Sequence, residues 1–185
     1  MKPHSLPEIL VELERTNQLI SEYFASIEEH TFFAHPPKVW SPAENLAHLS
    51  KSVRAATLGL KVPQAFSGLV WGAAESRSYD ELVSAYKQAL AAGGESPAQY
   101  LPELPEPVQD KAATRQAILQ RWQQSAAKLA AAAASWEDAD LDKARVPHPL
   151  LGKFTIRELL FFTLYHNMHH MNDARRLLGQ PEVEL

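Results

Sequence analysis

Three of the chain's eight histidines fall within Tyr165-His166-Asn167-Met168-His169-His170-Met171, and these are the residues best suited to chemistry. On a helix, residues four apart stand one above the other, so His166 and His170 share a face while His169 is turned roughly 100° away from its neighbour. That spacing makes a two-imidazole clamp for a divalent cation. A catalytic zinc site takes three protein ligands with imidazole nitrogens about 2.0–2.1 Å from the ion, and His48 is the candidate third. The alternative is two packed or surface histidines without an ion. His-Glu-x-x-His zinc proteases carry a general base beside the first ligand, whereas Asn167 stands there in this chain, so protease-type chemistry is disfavoured. Glu44, Tyr165, His169 and Asp173 are proton-transfer candidates with no distinguishing spacing, expected mostly at the solvated surface, and no catalytic base is assigned.

Composition narrows the classes. The 185 residues suit one domain, 1–185, with a sizeable core. A net charge of −4 gives no basic stripe for phosphates, which disfavours nucleic-acid binding. The chain has no cysteine, so a metal must be held by imidazole and oxygen, and no Cys nucleophile exists. Neither a signal-peptide core nor an apolar run of about 18 residues is present. The expectation is a soluble, cytoplasmic protein that does not enter a membrane.

Helix starts position these residues. Ser5/Glu8, Ser41/Glu44, Ser78/Glu81 and Thr155/Glu158 each place Glu three residues after a hydroxyl, the pairing that satisfies free N–H groups at a helix N-terminus. Pro42 strengthens the second. The first helix is expected from Leu6 to Glu29, with Leu10, Leu13, Asn17, Ile20, Phe24 and Ile27 as its buried stripe. Asn17 is either a satisfied buried amide or a group near a site. The second helix, Ser41 to Leu60, carries His48 on a face with Asn45, Ser52, Ala55, Ala56 and Gly59, small or polar residues that admit a close neighbour or a ligand. Glu44 is expected to cap it, and His30 and His35 to face solvent in a loop.

A long connection follows, with a short helix from Tyr79 to Ala91 and prolines 97, 102, 105 and 107 marking an extended path. Its length permits the third helix, Asp110 to Ser135, to run parallel to the second. The third helix buries Ile118, Trp122, Ala126, Leu129 and Ala133. The acidic segment 136–153 reads as a loop, and its His148, between two prolines, either adds a ligand or packs at the end of the helices. The last helix, Thr155 to Leu178, turns Leu159, Phe162, Thr163, His166, His170, Ala174 and Leu177 inward and stops at Gly179. Two imidazoles left unpaired there would each cost about 1–3 kcal/mol. Phe66, Val70 and Trp71 offer apolar surface to the chain's own helices or to a second copy, and a homodimer is entertained.

Trp40-Ser41-Pro42-Ala43-Glu44-Asn45-Leu46-Ala47-His48-Leu49, His148-Pro149-Leu150-Leu151-Gly152-Lys153-Phe154-Thr155 and His166-Asn167-Met168-His169-His170, in that order, resemble the DinB/YfiT-like four-helix-bundle metalloproteins. The resemblance covers nearly the whole chain. It implies an all-α, up-down-down-up four-helix bundle, commonly dimeric, with a long crossover between helices two and three. It also implies a three-histidine site for a divalent metal, usually zinc or nickel, at His48, His166 and His170. Some members use a low-molecular-weight thiol such as bacillithiol or mycothiol, with glutathione conceivable elsewhere. Three neutral imidazoles leave an open position where a water or thiol would be acidified. The expected function is therefore a metal-dependent transferase that activates a small thiol toward a small electrophile. A metal-dependent hydrolase and a non-catalytic metal-binding bundle are the alternatives.

Overall fold

The computed structural model describes residues 2–104 and 107–184. Met1 and Pro105, the latter read as marking the extended connection, lie outside the described residues. All four hydroxyl-to-Glu boxes form, and each opens a helix: α1 (Leu6–Ser26), α3 (Pro42–Leu60), α5 (Tyr79–Ala91) and α7 (Ile156–Leu177). Asp110 caps α6 (Lys111–Ala133) by accepting from the Ala113 amide. Gly179, in the left-handed region at φ 66°, follows the end of α7, a conformation that costs glycine little.

Several elements were not legible in the residue pattern. The first helix ends at Ser26 rather than Glu29, because the chain becomes extended at Ile27 before the four-residue α2 (Glu29–Phe32) buries Phe32. His30 therefore lies in a helix, though exposed. The buried stripe of α1 is Ile9, Leu13, Thr16, Ile20 and Phe24, so the buried polar member is Thr16 and not Asn17. Alternating steps of three and four allow either register, and packing selects one. Asn17 is half-buried, and its Oδ1 has no hydrogen-bond partner. In the connection, α4 (Gln64–Trp71) precedes α5, and a single 3-10 turn spans Ala98–Tyr100. Segment 136–153 is not all loop. After a second 3-10 turn at Asp138–Asp140 it forms an antiparallel hairpin of β1 (Arg145–His148) and β2 (Gly152–Thr155), with Val146 opposite Phe154.

The described residues are thus mostly helical. Helix α1 packs against α6 and α7, and α3 packs against the same two, so the four long helices close a ring around Trp122, Phe24, Leu13, Leu49 and Leu129. Specific contacts bring particular ends together. Arg115, near the start of α6, donates to the carbonyls of Ala25 and Ile27 at 2.7 and 3.0 Å, and Trp122 Nε1 donates to Ser21 Oγ at 3.0 Å. Trp136, just past α6, donates to Leu60 O at the end of α3. Arg157, in the first turn of α7, donates to His4 O before α1, and Arg175 lies over the Tyr23 ring. The stripe expected on α6, Ile118, Trp122, Ala126, Leu129 and Ala133, is buried throughout.

The connection is pinned to this ring. Buried Glu158 closes the α7 cap on the Thr155 amide at 3.0 Å and also accepts from the Arg77 amide at 2.9 Å and Arg77 Nε at 2.7 Å. Ser67 Oγ donates to Arg145 O at 2.6 Å and accepts from Arg145 N at 2.8 Å, which ties α4 to the hairpin. Glu158→Ala removes a cap and the buried partner of a half-exposed guanidinium together. It should lower stability by about 2–3 kcal/mol in urea titrations, with Glu158→Gln losing less; equal stability of both variants and wild type would contradict this account.

Candidate metal centre

Helices α3 and α7 bring together the three histidines that spacing singled out. His48, His166 and His170 are 2%, 6% and 8% exposed, and one ligand-type nitrogen from each lies within 4.8 Å of the other two, a group that could hold a metal ion. His48 Nε2 and His166 Nε2 are 3.2 Å apart. Two nitrogens about 2.0–2.1 Å from a shared tetrahedral ion would be separated by about 3.3–3.4 Å, so the spacing suits common coordination.

The outer nitrogens are fixed by the protein. His48 Nδ1 lies 2.7 Å from Tyr100 O, which can only accept, so that nitrogen carries the proton. His170 Nδ1 lies 2.9 Å from Asn45 Oδ1. The Asn45 amide is itself oriented, because its Nδ2 donates to Ser41 O at 3.1 Å and Trp40 O at 3.3 Å, leaving Oδ1 as acceptor. His170 Nδ1 is thereby the donor. In the neutral form both rings then keep Nε2 unprotonated, the tautomer a metal ligand requires, and that of His48 is turned to His166. Trp40 stacks on His170 at 5.7 Å between centroids and leans on His48 at 4.9 Å, shielding them from water.

Burial lowers the pKa of His48, and it drives His166 and His170 well below the usual imidazole value, with the neighbouring imidazoles adding to the effect. All three shifts favour the neutral, ligating form of the rings. His169 is half-buried and faces Asp173 at 3.6 Å; burial lowers its pKa and the carboxylate opposes that. Asp173 also lies 3.4 Å from His170 Nδ1 and pairs with Arg176, and burial raises its pKa. His169, His170 and Asp173 form a second close group, but there His170 meets the carboxylate through the nitrogen already donated to Asn45. Tyr165 is half-buried against the Tyr86 and His169 rings. Tyr165, His169 and Asp173 are therefore not the solvated surface groups expected of them. Glu44 caps α3, accepting from Ser41 N and Oγ at 2.7 Å each.

A cavity of about 470 Å³ opens beside the cluster, and all three histidines line it. The small face of α3 serves both purposes open to it: Ser52, Ala55 and Ala56 leave room in the cavity, and Gly59 admits Leu159 so closely that a Cβ would sit 3.1 Å from its Cδ2. His148 lines the cavity but is not in the cluster. It stacks on Phe154 at 4.3 Å, accepts from the amides of Leu150 and Leu151 through Nδ1, and burial lowers its pKa to about 4. It packs at this end of the helices and stands outside the three-histidine group. Asn167 is fully buried with neither amide atom hydrogen-bonded, so no base stands where zinc proteases carry one.

Trp40, Tyr86 and Tyr100 join the site without having stood out in the residue pattern. Trp40 had one signal, its position directly before the Ser41 cap. Tyr100 contributes a backbone carbonyl to His48, which no side-chain pattern announces.

Replacing Asn45 by Leu frees His170 to rotate, and should weaken divalent-metal affinity roughly 10–100-fold in chelator competition while the helical signal is retained; unchanged affinity would refute the orienting role. The lowered histidine pKa values also give a pH dependence. Below the ordinary imidazole value of 6.5 the unfolded chain takes up protons that the folded chain refuses, so metal-free stability falls as pH drops from there toward 4. Urea midpoints measured from pH 7 to pH 4.5 should decline accordingly, and a flat profile would contradict buried neutral imidazoles.

A family model described as the DinB superfamily matches residues 12–174. Comparisons with curated proteins and with solved structures gave no match. The matched span runs from within α1 to near the end of α7 and contains every histidine of the cluster, and the chain belongs to the DinB superfamily.

Proposed function

We propose that this chain is a divalent-metal-dependent enzyme whose ion is held by His48, His166 and His170, and that it transfers a low-molecular-weight thiol to a small electrophile. The observation that carries this reading is the convergence of three buried imidazoles beside a cavity, with outer nitrogens on His48 and His170 already occupied. When bound, zinc or nickel supplies Lewis acidity and lowers the pKa of a water or thiol in its open position. The chain's own residues do the rest. Tyr100 O and Asn45 hold two ligand rings, Trp40 and Phe162 exclude water, and the cavity places a second molecule against the cluster.

Transfer is favoured over hydrolysis by what surrounds the site. No described residue lining the cavity is a carboxylate, Asp173 meeting only the outer nitrogen of His170, and the chain has no cysteine, so neither a carboxylate base inside the cavity nor a protein thiol is at hand. An external thiol, acidified at the site, supplies the nucleophile without either. The fold we read is a single-domain, up-down-down-up four-helix bundle. The start of α6 lies at the end of α1, α3 and α6 end together, and α7 starts beside the start of α1, all of which support this order. We place the protein in the cytoplasm; no helix among the described residues is long and apolar enough to cross a membrane. Exposed Phe66 and Val70 on α4 support a homodimer.

Elemental analysis of protein purified without a His tag should find about one divalent ion per chain in wild type and none in His166→Ala; equal content in both would remove the site. Metal-loaded protein should consume thiol in the presence of electrophilic test substrates. Turnover without thiol would indicate the hydrolase, and a saturated coordination sphere without exchangeable water would indicate a non-catalytic bundle.

A further inference from the structure

The chain carries 18 Lys and Arg and 22 Asp and Glu, yet none of these is among the described residues that line the 470 Å³ cavity. No Lys, Arg, Asp or Glu side chain among the described residues faces this recess. Cations on neighbouring segments have partners of their own, although Arg145, whose Nη1 donates to Trp71 O at 3.5 Å, keeps a buried Nε without a hydrogen-bond partner. Lys51 donates to Leu101 O and Glu103, Arg77 pairs with Glu158 and lies over Phe154, and Lys87 lies over Tyr165. His148, which does line the cavity, stacks on Phe154 and accepts two backbone amides through Nδ1.

The wall is built instead from aromatic faces on five different segments: Trp40, Trp71, Tyr86, Tyr100 and Phe162. Such faces suit flat or alicyclic rings. The volume lies within the range of about 300–1,000 Å³ typical of small-molecule sites. At the rim, Leu58 is 68% exposed, and the exposed Phe66 ring packs edge-on against Trp71, so the apolar surface continues outward from the wall. A carboxylate carried into this space would lose water and meet no Lys or Arg among the lining residues. Only one electron-rich atom, directed at the three histidines, would find a partner, and this last point rests on the metal-site reading above.

We propose that the cavity selects an uncharged, largely apolar ring compound that presents a single donor atom to the histidine cluster, and that it discriminates against thiols or electrophiles bearing carboxylates. Glutathione-type peptide thiols are thus poor ligands, and thiols with neutral bodies are good ones.

The test uses a matched pair, phenylmethanethiol and its para-carboxylate, titrated into full-length, cobalt-loaded protein. Thiolate-to-cobalt absorption and calorimetry report binding independently of turnover. The neutral thiol should bind roughly 100-fold more tightly than its carboxylate, and equal or tighter binding of the carboxylate would overturn the proposal. Leu58→Arg, a change at an exposed position of the lining, should narrow the gap roughly fivefold; an unchanged gap would place the probe outside this cavity and also overturn it. Should the protein take up no cobalt, the metal reading fails alone, because calorimetry of metal-free protein with the same pair still reports the preference: a retained gap supports the neutral cavity and a lost gap sinks it.

Discussion

Three imidazoles have been taken out of water at one level between α3 and α7, and each must then direct its nitrogens at something. An unpaired buried polar group costs about 1–3 kcal/mol, so a cluster of this kind persists only where its surroundings fix each ring. Two of the outer nitrogens are satisfied by the protein, through Tyr100 O and Asn45 Oδ1. The inner nitrogens are left facing one another. Much of the rest of the structure follows from that arrangement: Trp40 covers the rings, the Ser41 cap and Trp40 carbonyls orient the amide of Asn45, and the long connection returns to place Tyr100.

The connection between α3 and α6 therefore does more than link helices. Arg77 fastens it to Glu158, Ser67 fastens it to the hairpin, and α5 presents Tyr86 to the rings of Phe162, His166 and His169. Long segments outside the helices of a compact fold commonly carry function rather than stability, and here such a segment supplies a backbone acceptor and much of the aromatic wall. Helices α1 and α6 contribute differently. Their buried residues are largely aliphatic and aromatic, and they form the packed side against which α3 and α7 hold their positions. Chemistry and packing are thus divided between opposite sides of the ring.

Family membership constrains the fold and is compatible with the metal centre, but it does not choose the substrate, because one scaffold hosts many chemistries. The local evidence for the substrate lies in what lines the cavity: aromatic faces, histidines and no Lys, Arg, Asp or Glu among the described residues. Specificity of this kind acts by withholding partners from unsuitable groups as much as by contacting suitable ones.

Helix starts and the two-histidine spacing were legible along the chain, because both depend on residues three or four apart. All four hydroxyl-to-Glu caps formed, and α3, α5, α6 and α7 fell within two residues of their expected bounds. The small face of α3 was also legible, since helical periodicity alone groups Ser52, Ala55, Ala56 and Gly59. Tertiary structure decided the rest. The choice of Thr16 over Asn17 needed the neighbouring helices, for two registers of α1 fit the same alternation. The hairpin was hidden because its strands are four residues long and one contains Pro147, too short and too irregular to show a period of two. Meeting of His48 with His166 and His170, the Tyr100 carbonyl behind His48, and the charge-free wall all join segments far apart in the chain. No local rule governs such distances; only the packing of whole elements does.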